Sequence, residues 1–165
     1  MKYRPHNYQQ YAADFILDHP VCCLMLDMGL GKTVITLTAL WELALDRFDI
    51  GRTLVIAPKR VATDTWPKEL QKWEHLTGLT ASLVVGSQKQ REEALARSAF
   101  IYIINRENVS WLVQNYRWDF DTVVIDELSS FKSNKAERFK AMKKVRPLVN
   151  RVIGLTGTPA PNSLL

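Results

Sequence analysis

The chain has 165 residues, of which 47% are hydrophobic and 24% charged, so it can bury one sizeable core and is expected to form a single globular domain. No apolar run approaches the roughly 18 to 20 residues that span a bilayer, and the start MKYRPHNYQQ lacks the apolar stretch of a signal peptide. The chain is therefore expected to be cytoplasmic, with no membrane partner. The net charge of +5 favours a polyanionic partner without bearing on fold. Its two cysteines, Cys22 and Cys23, are adjacent in an apolar run, where strand geometry sends them to opposite faces as reduced packing residues.

In chain order, residues 6–17 (HNYQQYAADFIL) carry Tyr8, Tyr11, Ala12, Phe15 and Ile16 at helical spacing. VCCLML has strand length, and beyond a glycine-rich turn KTVITLTALWELAL is long enough for a helix. RTLVIAP reads as a second strand stopped by Pro58, and VATDTWPKELQKW as a helix restarted at Pro67. TASLVVG, FIYIIN and DTVVID repeat the strand pattern, separated by the helical stretches QKQREEALARSA and RENVSWLVQNY. A basic helix, NKAERFKAMKKV, and a strand, RVIGLT, complete the series. TGTPAPNSLL follows with no closing helix, which reads as a truncation. Continuously apolar strands alternating with helices imply an α/β fold, a mainly parallel sheet with helices on both faces.

The turn between the first strand and the second helix carries Gly29-Leu30-Gly31-Lys32-Thr33. Backbone N–H groups freed by glycines can converge on phosphate oxygens at a helix N-terminus, where the helix dipole also favours anions. Met28, Gly29, Leu30, Gly31, Lys32 and Thr33 would cradle a nucleotide, with Lys32 on the β- and γ-phosphates and the Thr33 hydroxyl on Mg²⁺. A strict phosphate-loop pattern requires glycine where Leu26 stands. Asp126 and Glu127 end an apolar strand, where parallel sheets place ligands. One carboxylate can hold Mg²⁺ while its neighbour orients or deprotonates the attacking water.

DMGLGKT, VIDELSS and LTGTP stand in the order and approximate spacing of motifs I, II and III of superfamily 2 helicases. Together they resemble most the Swi/Snf branch of DNA translocases, including its bacterial and phage forms. The resemblance runs from Tyr3 to Asn162 and implies a RecA-like P-loop NTPase domain, residues 1–165, the first of two. In that family the position of Leu26 is commonly not glycine. Leu128-Ser129 stand where members usually carry Ala-His or a near variant. YRPHNYQQYAADFIL looks like the adenine-recognition segment, with Gln9 reading the base, since a carboxamide both donates and accepts. Tyr3, Arg4 or Tyr8 would stack on the base.

The resemblance further implies that Thr156, Gly157 and Thr158 couple hydrolysis to a second RecA-like domain outside this chain. It implies sequence-independent contact with duplex DNA through loops bearing Lys59 and Arg60, Lys89, and Asn105 and Arg106. An arginine finger belongs to the second domain, so this chain alone is expected to bind ATP weakly and hydrolyse it poorly. Two other readings stay open: a nucleic-acid-binding or partner-docking module with a vestigial ATP site, and a P-loop small-molecule kinase. The basic stretch from Lys132 to Arg151 is either a further DNA contact or a solvated face. The five tryptophans are expected to pack, and His6, His19 and His75 lack metal-ligand spacing.

Overall fold

The computed structural model describes residues 1–27, 31–133 and 137–157. Strands β1 (Val21–Met25), β2 (Thr53–Ala57), β3 (Ala81–Val84), β4 (Ile101–Asn105), β5 (Thr122–Asp126) and β6 (Arg151–Thr156) form one sheet. Their order is β1-β6-β5-β2-β4-β3, and every pairing is parallel. Of the interior strands, β2, β4 and β5 are buried at every residue and β6 at all but its first, as unbroken apolar runs require. The edge strand β1 alternates between buried and exposed positions.

Period-two geometry divides the core in two. Val55 and Ala57 pack with α1 (Asn7–Asp18) and α2 (Lys32–Trp41) on one face. Leu54 and Ile56 pack on the other with α5 (Val109–Asn115), α6 (Leu128–Ser133) and α7 (Glu137–Val145). The adjacent cysteines divide in the same way, Cys22 in the first cluster and Cys23 against the second.

Local chemistry sets several boundaries. At α4 (Gln88–Ala96), the Gln90 amide donates to Ser87 Oγ at 3.2 Å and the Ser87 amide to Gln90 Oε1 at 2.8 Å, a reciprocal cap. The helix expected over 61–73 divides: a π-helical turn, Val61–Thr65, leads into α3 (Trp66–Lys72), and Pro67 falls in the first turn of α3. Helix α2 likewise runs into a π-helical turn, Glu42–Asp46, closed by the Arg47 amide donating to Glu42 O at 2.8 Å. The stretch expected to be helical from 106 begins as a short 3₁₀ turn, Arg106–Asn108. Helix α6 has no counterpart among the expected elements, because its six residues are too few to show helical periodicity.

Candidate functional site

All strands are parallel, so their C-terminal ends share one edge of the sheet. A cleft of about 650 Å³ opens at that edge, bounded by the N-terminal segment, the start of α2, and Asp126 and Glu127. Its floor carries an ionic triad. Lys32 Nζ lies 2.7 Å from Glu127 Oε1 and 3.1 Å from Asp126 Oδ1. Burial works against the Lys32 ammonium, but hydrogen bonding to Glu127 and the charge of Asp126 outweigh it, so its pKa lies above the ordinary lysine value.

The two carboxylates differ in setting. The Asp126 side chain is 1% exposed and that of Glu127 40%. Trp66, fully buried, donates its indole N–H to Asp126 Oδ2 at 3.0 Å. Asp126 Oδ1 is buried without a hydrogen bond, although the Lys32 ammonium is close. Glu127 adopts φ 60°, a left-handed conformation costly for a residue with a side chain, of the kind that clusters at functional sites. Thr33 is buried at the cleft wall. A hydroxyl and a carboxylate oxygen lacking a hydrogen bond are hard donors suited to Mg²⁺, so these residues fit that ion. Among the described residues no group of three or more His, Cys, Asp or Glu could hold a metal alone.

Gly31 precedes α2 with φ 80°. A Cβ there would lie 2.6 Å from Gln9 Nε2, so two independent constraints demand glycine. Gln9 is itself buried, and its Oε1 accepts the His6 amide at 2.9 Å. Residues 22 apart in sequence, whose connection only the resemblance implied, thus meet where the first turn of α1 faces the N-cap of α2. Met28, Gly29 and Leu30, expected to complete the phosphate cradle, lie outside the described residues.

Of the three expected stacking residues, Tyr3 lies over His75 with ring centroids 4.6 Å apart. Tyr8 lies over His6 at 5.8 Å, and Arg4 is exposed beside both at the cleft. Burial holds the His75 pKa below its usual value, and its Nε2 lies 2.7 Å from Thr38 Oγ1.

Thr156 is buried, and its Oγ1 lies 2.7 Å from Ser129 Oγ. The Leu26 amide donates to Thr156 O at 3.1 Å. Serine at 129 therefore links α6, the helix after β5, to the end of β6, and Gly157 follows directly with a Cβ position 3.7 Å from Leu26 O. Thr158 lies outside the described residues.

The expected DNA-facing residues share the same sheet edge but differ in presentation. Lys59, Arg60 and Lys89 are exposed. Asn105 is buried, with its amide donating to Glu107 Oε1 at 3.0 Å and its oxygen accepting from Asn108 at 2.8 Å. Arg106 is half-buried, with Nε 3.5 Å from Glu107. In the basic stretch, Lys140, Lys143 and Lys144 are exposed on α7, whereas Arg151 donates to the Ile16 and Leu17 carbonyls that end α1. Trp66 was legible only as a packing residue, because nothing local ties it to an aspartate 60 positions away.

A family model described as the SNF2-related domain matches residues 8–165. Putative protein p41 of Acyrthosiphon pisum secondary endosymbiont phage 1 is 39% identical over 171 residues, covering 99% of this chain and 37% of p41. ATP-dependent helicase FUN30 of Saccharomyces cerevisiae is 33% identical over 156 residues, 87% of this chain and 13% of FUN30. The chain thus spans little more than a third of p41 and far less of FUN30. Among solved structures, a Sulfolobus solfataricus SWI2/SNF2 ATPase core in complex with dsDNA superposes with a TM-score of 0.82 at 24% identity, over 96% of this chain and 33% of that one. The UvsW helicase from Bacteriophage T4 superposes at 0.73 with 17% identity, over 94% and 53%. Both superpositions show a RecA-like fold.

Proposed function

This chain belongs to the SNF2-related domain family, and from that premise we propose that it is the ATP-binding motor domain of a duplex-DNA-dependent translocase. The observation that carries the reading is Lys32 bridging Asp126 and Glu127 beside the cleft. That grouping supports assigning phosphate binding to Lys32, metal binding to Asp126 and water activation to Glu127.

In this reading Lys32 exchanges its carboxylate partners for the β- and γ-phosphates of ATP. The phosphate charges then replace the carboxylates in favouring its protonated form. Gly31 and the preceding loop offer backbone N–H groups, and Gln9 meets the adenine. Thr33 and Asp126 would hold Mg²⁺, which when bound would supply charge stabilisation to the transferring phosphoryl group. Glu127, the more exposed carboxylate, orients the water whose oxygen attacks the γ-phosphorus. As the bond from that phosphorus to the β–γ bridging oxygen breaks, ADP departs and Glu127 takes the proton. Lys59, Arg60, Lys89 and Arg106 contact duplex phosphates further along the same edge, and the loop shaped by Asn105 supports Arg106.

Coupling runs through Thr156, Gly157 and Thr158 toward a second RecA-like domain of the parent protein. That domain supplies an arginine finger, worth about 10³ to 10⁵ in rate, so the isolated domain turns over poorly. The working compartment is the cytoplasm, of a bacterium or a phage-infected host, in keeping with the phage relative. A fluorescent-ATP titration with Mg²⁺ on the wild type and Lys32→Ala tests the site. Saturable binding lost in the variant is expected. Absence of binding in the wild type leaves a docking module with a vestigial site, whereas turnover only with a small-molecule acceptor identifies a kinase.

A further inference from the structure

Asp126 has two side-chain partners among the described residues, on different oxygens: Trp66 on Oδ2 and Lys32 near Oδ1. In the proposed ATP-bound state Lys32 turns to phosphate, and the indole is then the partner that remains. We infer that Trp66 is a positioning residue whose N–H fixes the rotation of the Asp126 carboxylate and presents Oδ1 to the divalent cation. This rests on the motor reading given above.

The geometry suits that task. Trp66 is fully buried, so its ring has no room to rotate away. Its amide donates to Val61 O, closing the π-helical turn Val61–Thr65, and Pro67 stiffens the next position. Val61 and Thr65 line the cleft, which places the indole directly behind its wall. A neutral donor also suits the chemistry. It removes the freedom of one oxygen without neutralising the carboxylate, as a second cation would, so Asp126 keeps its full charge for the metal. Ligands are commonly oriented by such outer hydrogen bonds, whose loss costs about 10- to 100-fold in metal affinity. A π-helical turn immediately upstream is itself a feature that recurs at functional sites.

The test uses Mn²⁺ as the probe, titrated by electron paramagnetic resonance into the protein saturated with a non-hydrolysable ATP analogue. Trp66→Phe keeps most of the ring and removes the donor. The variant is expected to bind Mn²⁺ about 10- to 100-fold more weakly, with analogue affinity in EDTA unchanged. Mn²⁺ affinity within twofold of wild type would overturn the inference. A second readout needs no variant: adding Mg²⁺ to the wild-type analogue complex should move one of the five tryptophan indole ¹⁵N–¹H resonances, and five unmoved resonances would likewise overturn it. A wild type that binds neither analogue nor Mn²⁺ refutes the motor reading and this inference together. Wild-type binding with an indifferent Trp66→Phe refutes the inference alone.

Discussion

Gly31→Ala tests the junction between the segments proposed to read the base and to bind phosphate. At φ 80° a residue with a Cβ pays about 1 to 2 kcal/mol for left-handed geometry. The new methyl would also sit 2.6 Å from Gln9 Nε2. Gln9 can retreat only by weakening its acceptance of the His6 amide, at about 0.5 to 1.5 kcal/mol. Stiffening the unfolded chain returns about 0.4 to 1 kcal/mol, leaving a net loss of about 1 to 3 kcal/mol. Urea unfolding should show a lower midpoint at unchanged slope. In a Gln9→Ala background the collision disappears, so Gly31→Ala should cost about 0.5 to 1.5 kcal/mol less there. A loss below about 0.5 kcal/mol in the wild-type background, or the same loss in both, would refute the reasoning.

The depressed His75 pKa makes stability fall as pH drops from the ordinary histidine value through the lower folded one, because the unfolded chain then binds the extra proton. Urea midpoints at pH 7.5 and 5.5 should therefore move further in wild type than in His75→Gln, and equal movement would exclude His75 as the source. Thr156→Val removes one partner of the hydroxyl pair with Ser129 and should cost about 1 to 3 kcal/mol. In the parent protein it should also reduce the stimulation of ATPase by DNA more than nucleotide affinity. Lys59→Ala and Arg60→Ala should each reduce the slope of log affinity for duplex DNA against log salt by about 1, equally for unrelated sequences. An unchanged slope would place these side chains away from the phosphates.

Much of this was legible because it is local. Buried parallel strands declare themselves as apolar runs, and RTLVIAP, FIYIIN and DTVVID became the fully buried strands β2, β4 and β5. The proposed site was visible in the same way, as GLGKT and the Asp126-Glu127 pair each following an apolar run. What escaped depends on contacts between distant residues or on segments too short for a period. Strand order is set by crossovers, which hydrophobic patterning does not encode. Helix α6 spans less than two turns, and the π-helical turns preserve helical spacing while changing the hydrogen bonds. The carboxamide of Asn105, in a loop that the resemblance turns toward DNA, is bonded within that loop because Glu107 and Asn108 lie within reach. Ser129 departs from the family's usual residue, yet its hydroxyl reaches Thr156, a link visible only once β5 and β6 are neighbours.

The proposed function requires the full-length parent protein to hydrolyse ATP at this domain's site in response to duplex DNA. The most direct test is steady-state ATPase of the full-length parent protein, with and without a duplex of mixed sequence, beside the isolated domain and full-length Lys32→Ala. Hydrolysis should rise with DNA in the full-length protein, fall again with added salt, stay near background in the isolated domain and vanish in Lys32→Ala. ATPase indifferent to DNA, or undiminished in Lys32→Ala, would contradict it.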